Sequence, residues 1–390
     1  MRAGWTYKTF GEVGSFLRGK SIQKADFVEK GLPCIHYGQI HTKFGISVNK
    51  HLSEIPLELY KKSIIASPGD VIIAITSEDL DGSCKSTAWL GNYDVAVSAH
   101  AAVYKHNLNS KFVAYYLRSN SFYTEKEKYA RGFKVMEIKP TDIALIPIPV
   151  PPADVQQSIV EELDMINELI NLKKSQLSDL DTLAQSIFYD MFGDPLENDK
   201  GWEEKRIGDI CAEKKDVKRA SKCFKSSDEI QYIDISSIDN KSNCIIATSS
   251  FFFNEAPSRA QQKVEKGDIL VSLVRPNLKN IALVNFDGKN LVASSGFCVL
   301  RTKEPSIYFI KNLVLTPHFT DYLVKRVTGA NYPAVREDDI RGCLIGVPPL
   351  ALQHSFSQRI EAMEQLKEQI SSSINDLETL LASRMQYWFD

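Results

Sequence analysis

The sequence contains no apolar run near the ~18 residues that a membrane-spanning helix requires, so no membrane span is expected. Its opening, MRAGWTYKTF, lacks the apolar core of a secretory signal. Cysteine is sparse and scattered: Cys34, Cys84, Cys211, Cys223, Cys244, Cys298 and Cys343 are odd in number and form no C-x-x-C pair. That usage argues against a disulfide framework and for free thiols in a reducing cytoplasm. Catalytic signatures are missing as well. There is no P-loop, no H-E-x-x-H, no G-x-S-x-G, and no N-P-P-aromatic motif of the kind an amino-methyltransferase places around a flipped base. Gly11-Glu12-Val13-Gly14 lacks the third glycine and the preceding strand of a dinucleotide fingerprint. His36 and His41 share the segment HYGQIH with no third ligand nearby, so no metal site is expected. Glu78, Asp79 and Asp81 read as a solvated acidic loop, with a general-base or metal role as the alternative. No catalytic residue is assigned.

What the sequence has is repetition. Val150-Pro151-Pro152 recurs as Val347-Pro348-Pro349, a spacing of 197 residues. The same spacing relates Gly4-Trp5 to Gly201-Trp202, Phe122 to Phe319, Gly132 to Gly329, Asp142-Ile143 to Asp339-Ile340, and Phe192 to Phe389. Collinear matches across half the chain mean two tandem copies, and a period this long means duplicated domains and a pseudo-two-fold object. The 390 residues, 43% hydrophobic and 25% charged, suit two or more globular domains with their own cores.

The net charge of −2 conceals an alternation. Residues 1–149 carry a net +5, residues 150–198 a net −8, residues 199–346 a net +4 and residues 347–390 a net −3. The two long segments are mildly basic. The two short acidic ones are poorly suited to lie along phosphates.

Each acidic segment opens on its proline pair and then runs for about 40 residues without proline or glycine. Proline belongs before or at the start of a helix, so each segment reads as one long helix. In the first, Leu163, Ile166, Ile170, Leu177 and Leu180 recur at heptad-like spacings; in the second, Ile360, Met363, Ile370, Ile374 and Leu377 do so. A helix of that length spans about 60 Å, more than a domain of this size, so the two helices most simply pair with each other, antiparallel. A surface helix on its own domain is the alternative. Gly193 and Pro195 are expected to stop the first helix.

The basic segments read as mixed α/β. Strand-like runs are GDVIIAIT (69–76), DVAVSAHAAVY (94–104), GDILVSLV (267–274) and LVASSGFCVLR (291–301). Helix-like stretches follow, and then the Gly-containing loops RGFKVMEIKPTDI (131–143) and TGANYPAVREDDI (328–340). Between these landmarks the copies diverge, as two related binding surfaces with different targets would. Arg and Lys suit guanine edges, Asn suits adenine, and Ser and Thr hold phosphates. The candidate DNA-binding residues are therefore Lys85, Ser86, Thr87, Arg131 and Lys134 in the first copy, and Arg275, Asn277, Lys279, Asn280, Asn331 and Arg336 in the second.

This organisation resembles the specificity subunit of type I restriction–modification systems over essentially the whole chain. The resemblance rests on the P-x-P-P-x-x-x-Q entry to each long helix (IPVPPADVQQ and GVPPLALQH), the exit SIFYDMFGDPLENDKGW, and the repeated G-W…K…G opening. It also rests on the closing strands, I-P-x-P in one copy and I-G-V-P-P in the other. The second helix runs to Asp390 without the Gly-Asp-Pro exit. The resemblance implies target-recognition domains over 1–149 and 199–346, with spacer helices over 150–198 and 347–390. It implies double-stranded DNA as partner, each domain reading one half of an asymmetric bipartite target. It implies an antiparallel coiled coil that sets the spacing between halves and docks two modification subunits. Cofactors would then sit elsewhere: S-adenosylmethionine on the modification subunits, which methylate adenine, and ATP and Mg²⁺ on a restriction subunit that can join them. An enzyme using Glu78, Asp79 and Asp81 and a scaffold that never touches DNA are the competing readings.

Overall fold

The computed structural model describes residues 4–20, 22–132, 135–302, 306–329 and 333–390, with the side chains of Lys215 and Ser306 excepted. The chain divides into two compact units, Met1–Lys174 with Ser372–Asp390, and Ser175–Ser371.

In the first unit, Thr6–Thr9 pairs antiparallel with Pro147–Val150, joining the two ends of the first basic segment. A five-stranded sheet runs in the order Gly14–Arg18, Ala101–His106, Val71–Ala74, Ser86–Trp89, Ser47–Val48. A four-stranded sheet runs in the order Ser53–Ile55, Leu32–Ile35, Val95–Val97, Ile64–Ala66, with its central pair parallel. The second unit repeats the scheme. Glu203–Arg206 pairs antiparallel with Leu344–Val347. Asp268–Ser272 lies between Ile281–Leu283 and Phe297–Arg301. A four-stranded sheet runs Ser249–Phe252, Glu229–Ile233, Leu291–Ser294, Ala260–Lys263, again with a parallel central pair.

The runs 94–104 and 291–301 are each two strands rather than one. The first breaks before Ala101, with His100 at φ 65, and its halves enter different sheets. A left-handed residue turns the chain where hydropathy alone reads as continuous. The stretches after them are likewise split: Ser110–Tyr116 and Asn120–Glu127 in one copy, Ser306–Val314 and Pro317–Val324 in the other. Ser119 and Thr316 side chains accept from the backbone N–H three residues on, capping the second helix of each pair.

Both acidic segments are continuous 40-residue helices, Ala153–Phe192 and Leu350–Phe389. The motif that opens each one has a physical reason. Gln156 Nε2 donates to the Pro151 carbonyl at 2.9 Å, and Gln353 Nε2 donates to the Pro348 carbonyl at 2.8 Å. Both glutamines are buried, and each ties the helix back to the proline pair before it. The first helix ends at Gly193, whose φ of 69 favours a residue without Cβ; an added Cβ would meet Asp199 Oδ1 at 1.9 Å.

Each unit's core takes in part of both helices. In the first, Ile159, Leu163 and Phe389 join Phe10, Tyr104, Phe112 and Phe122. In the second, Phe188, Phe192, Phe356 and Ile360 join Phe309 and Phe319. Full burial of one such aromatic stabilises by about 1.5–3 kcal/mol, so these contacts hold the helices to their units. Of the periodic residues, Leu163, Ile166, Ile170, Ile360, Ile370 and Ile374 are buried, and Leu177, Leu180, Met363 and Leu377 are half-buried. In the first unit Glu162 pairs with Arg384 and also accepts from Trp388 Nε1 at 2.9 Å, while Lys174 meets Glu378 at 2.7 Å. In the second, Lys367 lies 2.6 Å from Asp181.

Candidate nucleic-acid interface

In both units the described candidate residues collect at one hairpin and the loop beside it. In the first unit the strands 71–74 and 86–89 form the hairpin, with Ile73 opposite Ser86. Its outgoing strand continues to Thr76–Ser77, which pairs with Met136–Glu137, and the Ile138 N–H donates to the Ile75 carbonyl at 3.0 Å. The loop carrying Arg131 is thereby fixed to the hairpin. In the second unit the strands 268–272 and 281–283 form the hairpin, with Val271 opposite Ile281. The Val335 N–H donates to the Leu273 carbonyl at 2.9 Å, and Val274 bridges Ala334.

The second-unit candidates stand mostly in solvent. Arg275 and Asn277 are exposed, and Lys279 and Asn280 are half-buried. Arg275 and Lys279 both hold left-handed backbone, φ 50 and 51, on either side of the single turn Pro276–Leu278. The Arg275 N–H donates to the Pro333 carbonyl at 2.8 Å, so neighbouring structure fixes this uncommon conformation. Arg336 is exposed at the start of the helix Glu337–Arg341. Arg326, close by in sequence, lies 3.6 Å from the centre of the Tyr322 ring. Asn331 lies outside the described residues.

The first unit corrects part of the expectation. Ser86 and Thr87 are fully buried strand residues, and neither hydroxyl has a hydrogen-bond partner. They face the interior and are removed from a surface-contact role. Lys85 is half-buried and donates from Nζ to the His41 carbonyl at 2.7 Å. Burial, then the nearby Arg118, lowers its pKa. Arg131 is exposed, 3.7 Å from Asp142. Lys134 lies outside the described residues.

Two cations that sequence reasoning passed over support this hairpin. Arg118 donates to the carbonyls of Gly45 at 2.9 Å and Ser86 at 3.0 Å. Lys126, 3% exposed, donates to the Ser83 carbonyl at 2.7 Å, and burial lowers its pKa. With Lys85 and Tyr123 they line a cavity of about 540 Å³. Nothing in the run EKEK announces that one lysine turns inward. The hairpin's tip is acidic: Glu78, Asp79 and Asp81 are exposed, and Asp79 Oδ1 accepts from the Gly82 N–H at 2.6 Å. Among the described residues no group of three His, Cys, Asp or Glu side chains is placed to hold a metal ion. All seven cysteines are free. Among the described residues no helix is long and apolar enough to cross a membrane.

The type I restriction modification DNA specificity domain matches this chain twice, at residues 2–181 and 199–377. The chain belongs to the type I restriction–modification specificity-subunit family. The two matches fall one on each copy of the internal repeat, giving two target-recognition domains. A similar protein is the type I restriction enzyme MjaVIII specificity subunit of Methanocaldococcus jannaschii, 21% identical over 97% of this chain and 92% of that one. Similar folds occur in the S subunit of a type I restriction–modification system from M. genitalium. There the TM-score is 0.54 and the identity 14%, over 99% of this chain and 96% of that one. A chain solved in work on complex assembly and conformational transition of the type I system gives a TM-score of 0.58 at 17% identity, over 100% and 98%.

Proposed function

We propose that this chain is the non-catalytic DNA-reading subunit of a type I complex. Residues 1–149 and 199–346 each read one half of an asymmetric bipartite sequence in double-stranded DNA. Residues 150–198 and 347–390 set the distance between halves and dock two modification subunits. S-adenosylmethionine belongs to those subunits, which methylate adenine, and ATP and Mg²⁺ to a restriction subunit where one joins.

The observation that carries this reading is the duplicated scaffold with unlike hairpins. One architecture presents Glu78, Asp79, Asp81 and Arg131 in one copy and Arg275, Asn277, Lys279 and Arg336 in the other. Like scaffolds with unlike tips suit two unlike half-sites. Joining two readers makes the second binding event intramolecular and raises affinity without new contacts.

Antiparallel pairing of the helices as a coiled coil, with a pseudo-two-fold, is supported by partner numbering. As one helix advances from Glu162 to Lys174 the other retreats from Arg384 to Glu378. Docking is supported by apolar side chains left in solvent, among them Met165 at 65%, Leu172 at 61% and Leu380 at 45% exposure.

The test is to express the chain with its modification subunit and map methylated adenines on a plasmid library. A bipartite motif with a fixed spacer, lost without this chain, is the expected result. Methylation indifferent to the chain overturns the reading.

A further inference from the structure

The two hairpins are structural equivalents. In each, a left-handed residue, Cys84 at φ 62 or Lys279 at φ 51, stands two positions before the returning strand. In each, the outgoing strand is braced by the Gly-containing loop. Their charges are opposite. Residues 77–84 hold Glu78, Asp79 and Asp81 and no base; residues 273–280 hold Arg275 and Lys279 and no acid. The surroundings extend the contrast. Arg326 and Arg336 are exposed near the second hairpin. Beside the first, Lys85, Arg118 and Lys126 point their donors at main-chain carbonyls, and the exposed Arg131 lies 3.7 Å from Asp142.

Resting on the DNA-reading function proposed above, we infer that the two units hold DNA with unequal electrostatics. The second hairpin is the specificity-determining contact of its half-site. Arg275 and Asn277 stand at base edges, and Lys279 neutralises phosphate. The first hairpin stays off the phosphates, where three carboxylates would meet like charge, and its half-site is held by other residues of that unit. The physical basis is direct. An exposed Arg offers a fork of donors that matches guanine O6 and N7, and Asn matches adenine N6 and N7. The tip is pre-set, because both left-handed residues are fixed by main-chain hydrogen bonds: Arg275 N–H to Pro333, and Lys279 N–H to Pro276 at 3.1 Å. A carboxylate at a hairpin tip gains only from cytosine N4 in the groove and loses wherever phosphate is near.

The experiment uses the assembled complex with its modification subunits. In Arg275→Gln/Lys279→Asn, the slope of log affinity against log salt should fall by about 1, for the phosphate that Lys279 neutralises. The methylated motif should keep its first half and its spacer while the second half degenerates. Glu78→Gln/Asp81→Asn should raise affinity for unrelated duplex severalfold. Asn277→Asp alters no backbone preference at an exposed tip and should weaken binding and relax the second half-site alone. An unchanged salt slope and an unchanged motif in both second-hairpin variants, in a complex that still methylates, overturns the inference and leaves the reading intact. Methylation by the wild-type complex that does not require this chain overturns the reading itself.

Discussion

Arg301 holds Asp268 with two nitrogens, Nε on Oδ1 and Nη2 on Oδ2, each at 2.7 Å. Asp268 has no exposed surface, and its Oδ2 also accepts from the Glu265 N–H at 2.9 Å. The hydrogen bond to Asp268 raises the Arg301 pKa. The first unit builds the same pair more loosely, with Lys105 Nζ 2.7 Å from Asp70 and the lysine 39% exposed. Removing one partner of a buried pair strands the other charge, at about 3–5 kcal/mol. Arg301→Gln should therefore destabilise the second unit by about that amount, and Lys105→Gln should cost the first unit less. Hydrogen exchange over 268–301 and 70–105 checks both, and equal losses in the two units would contradict the difference in burial.

A histidine makes the first unit sensitive to acid. His106 stacks on Tyr104 with ring centres 4.9 Å apart, its Nδ1 accepts from the Leu108 N–H at 3.1 Å, and its buried Nε2 has no partner. Burial pushes its pKa down from 6.5 to about 4. The unfolded chain then binds a proton that the folded unit refuses. Stability is complete above pH 6.5 and is lost as pH falls toward 4, at about 1.4 kcal/mol per pH unit for one proton. His106→Asn keeps an acceptor for Leu108 and should flatten this part of the profile. Urea midpoints measured from pH 7.5 to 4 decide it; parallel profiles for variant and wild type would remove His106 as the cause.

The buried hydroxyls offer a direct check on the corrected residues. Ser86→Ala and Thr87→Val remove oxygen atoms that have no partner, so stability should hold or rise by up to about 1 kcal/mol. The methylated motif should be unchanged, and a changed half-site would return these residues to the DNA interface.

Helix length gives a fourth expectation. Four residues inserted after Leu177 add about 6 Å to the first long helix. The spacer of the methylated motif should change while both half-sites stay as they were. A folded variant with the original spacer would end the role of the helices as a ruler.

The sequence made some of this legible and hid the rest for physical reasons. A duplication leaves collinear matches whatever the fold, and a helix without proline or glycine shows its period, so both 40-residue helices were visible. Ser86–Trp89 was not, because a strand buried on both faces loses the alternation that marks strands, and its Ser and Thr imitate a loop. Lys126 was missed because residue type does not say which way a side chain turns, and this one turns to the Ser83 carbonyl. The hairpin and loop pairing that gathers Arg275 with Arg336 is a long-range contact, and no local pattern encodes it.

Phe389 belongs to the core of the first unit, and there the Ser121 N–H donates to Asp390 Oδ1 at 2.8 Å. On the ribosome, nearly all of the second unit is synthesised between Lys174 and that segment. The first unit therefore lacks Phe389 from its core until the last turn of the second helix is made. A lesion at Phe389 or Asp390 will therefore unsettle a unit built mostly from the beginning of the chain.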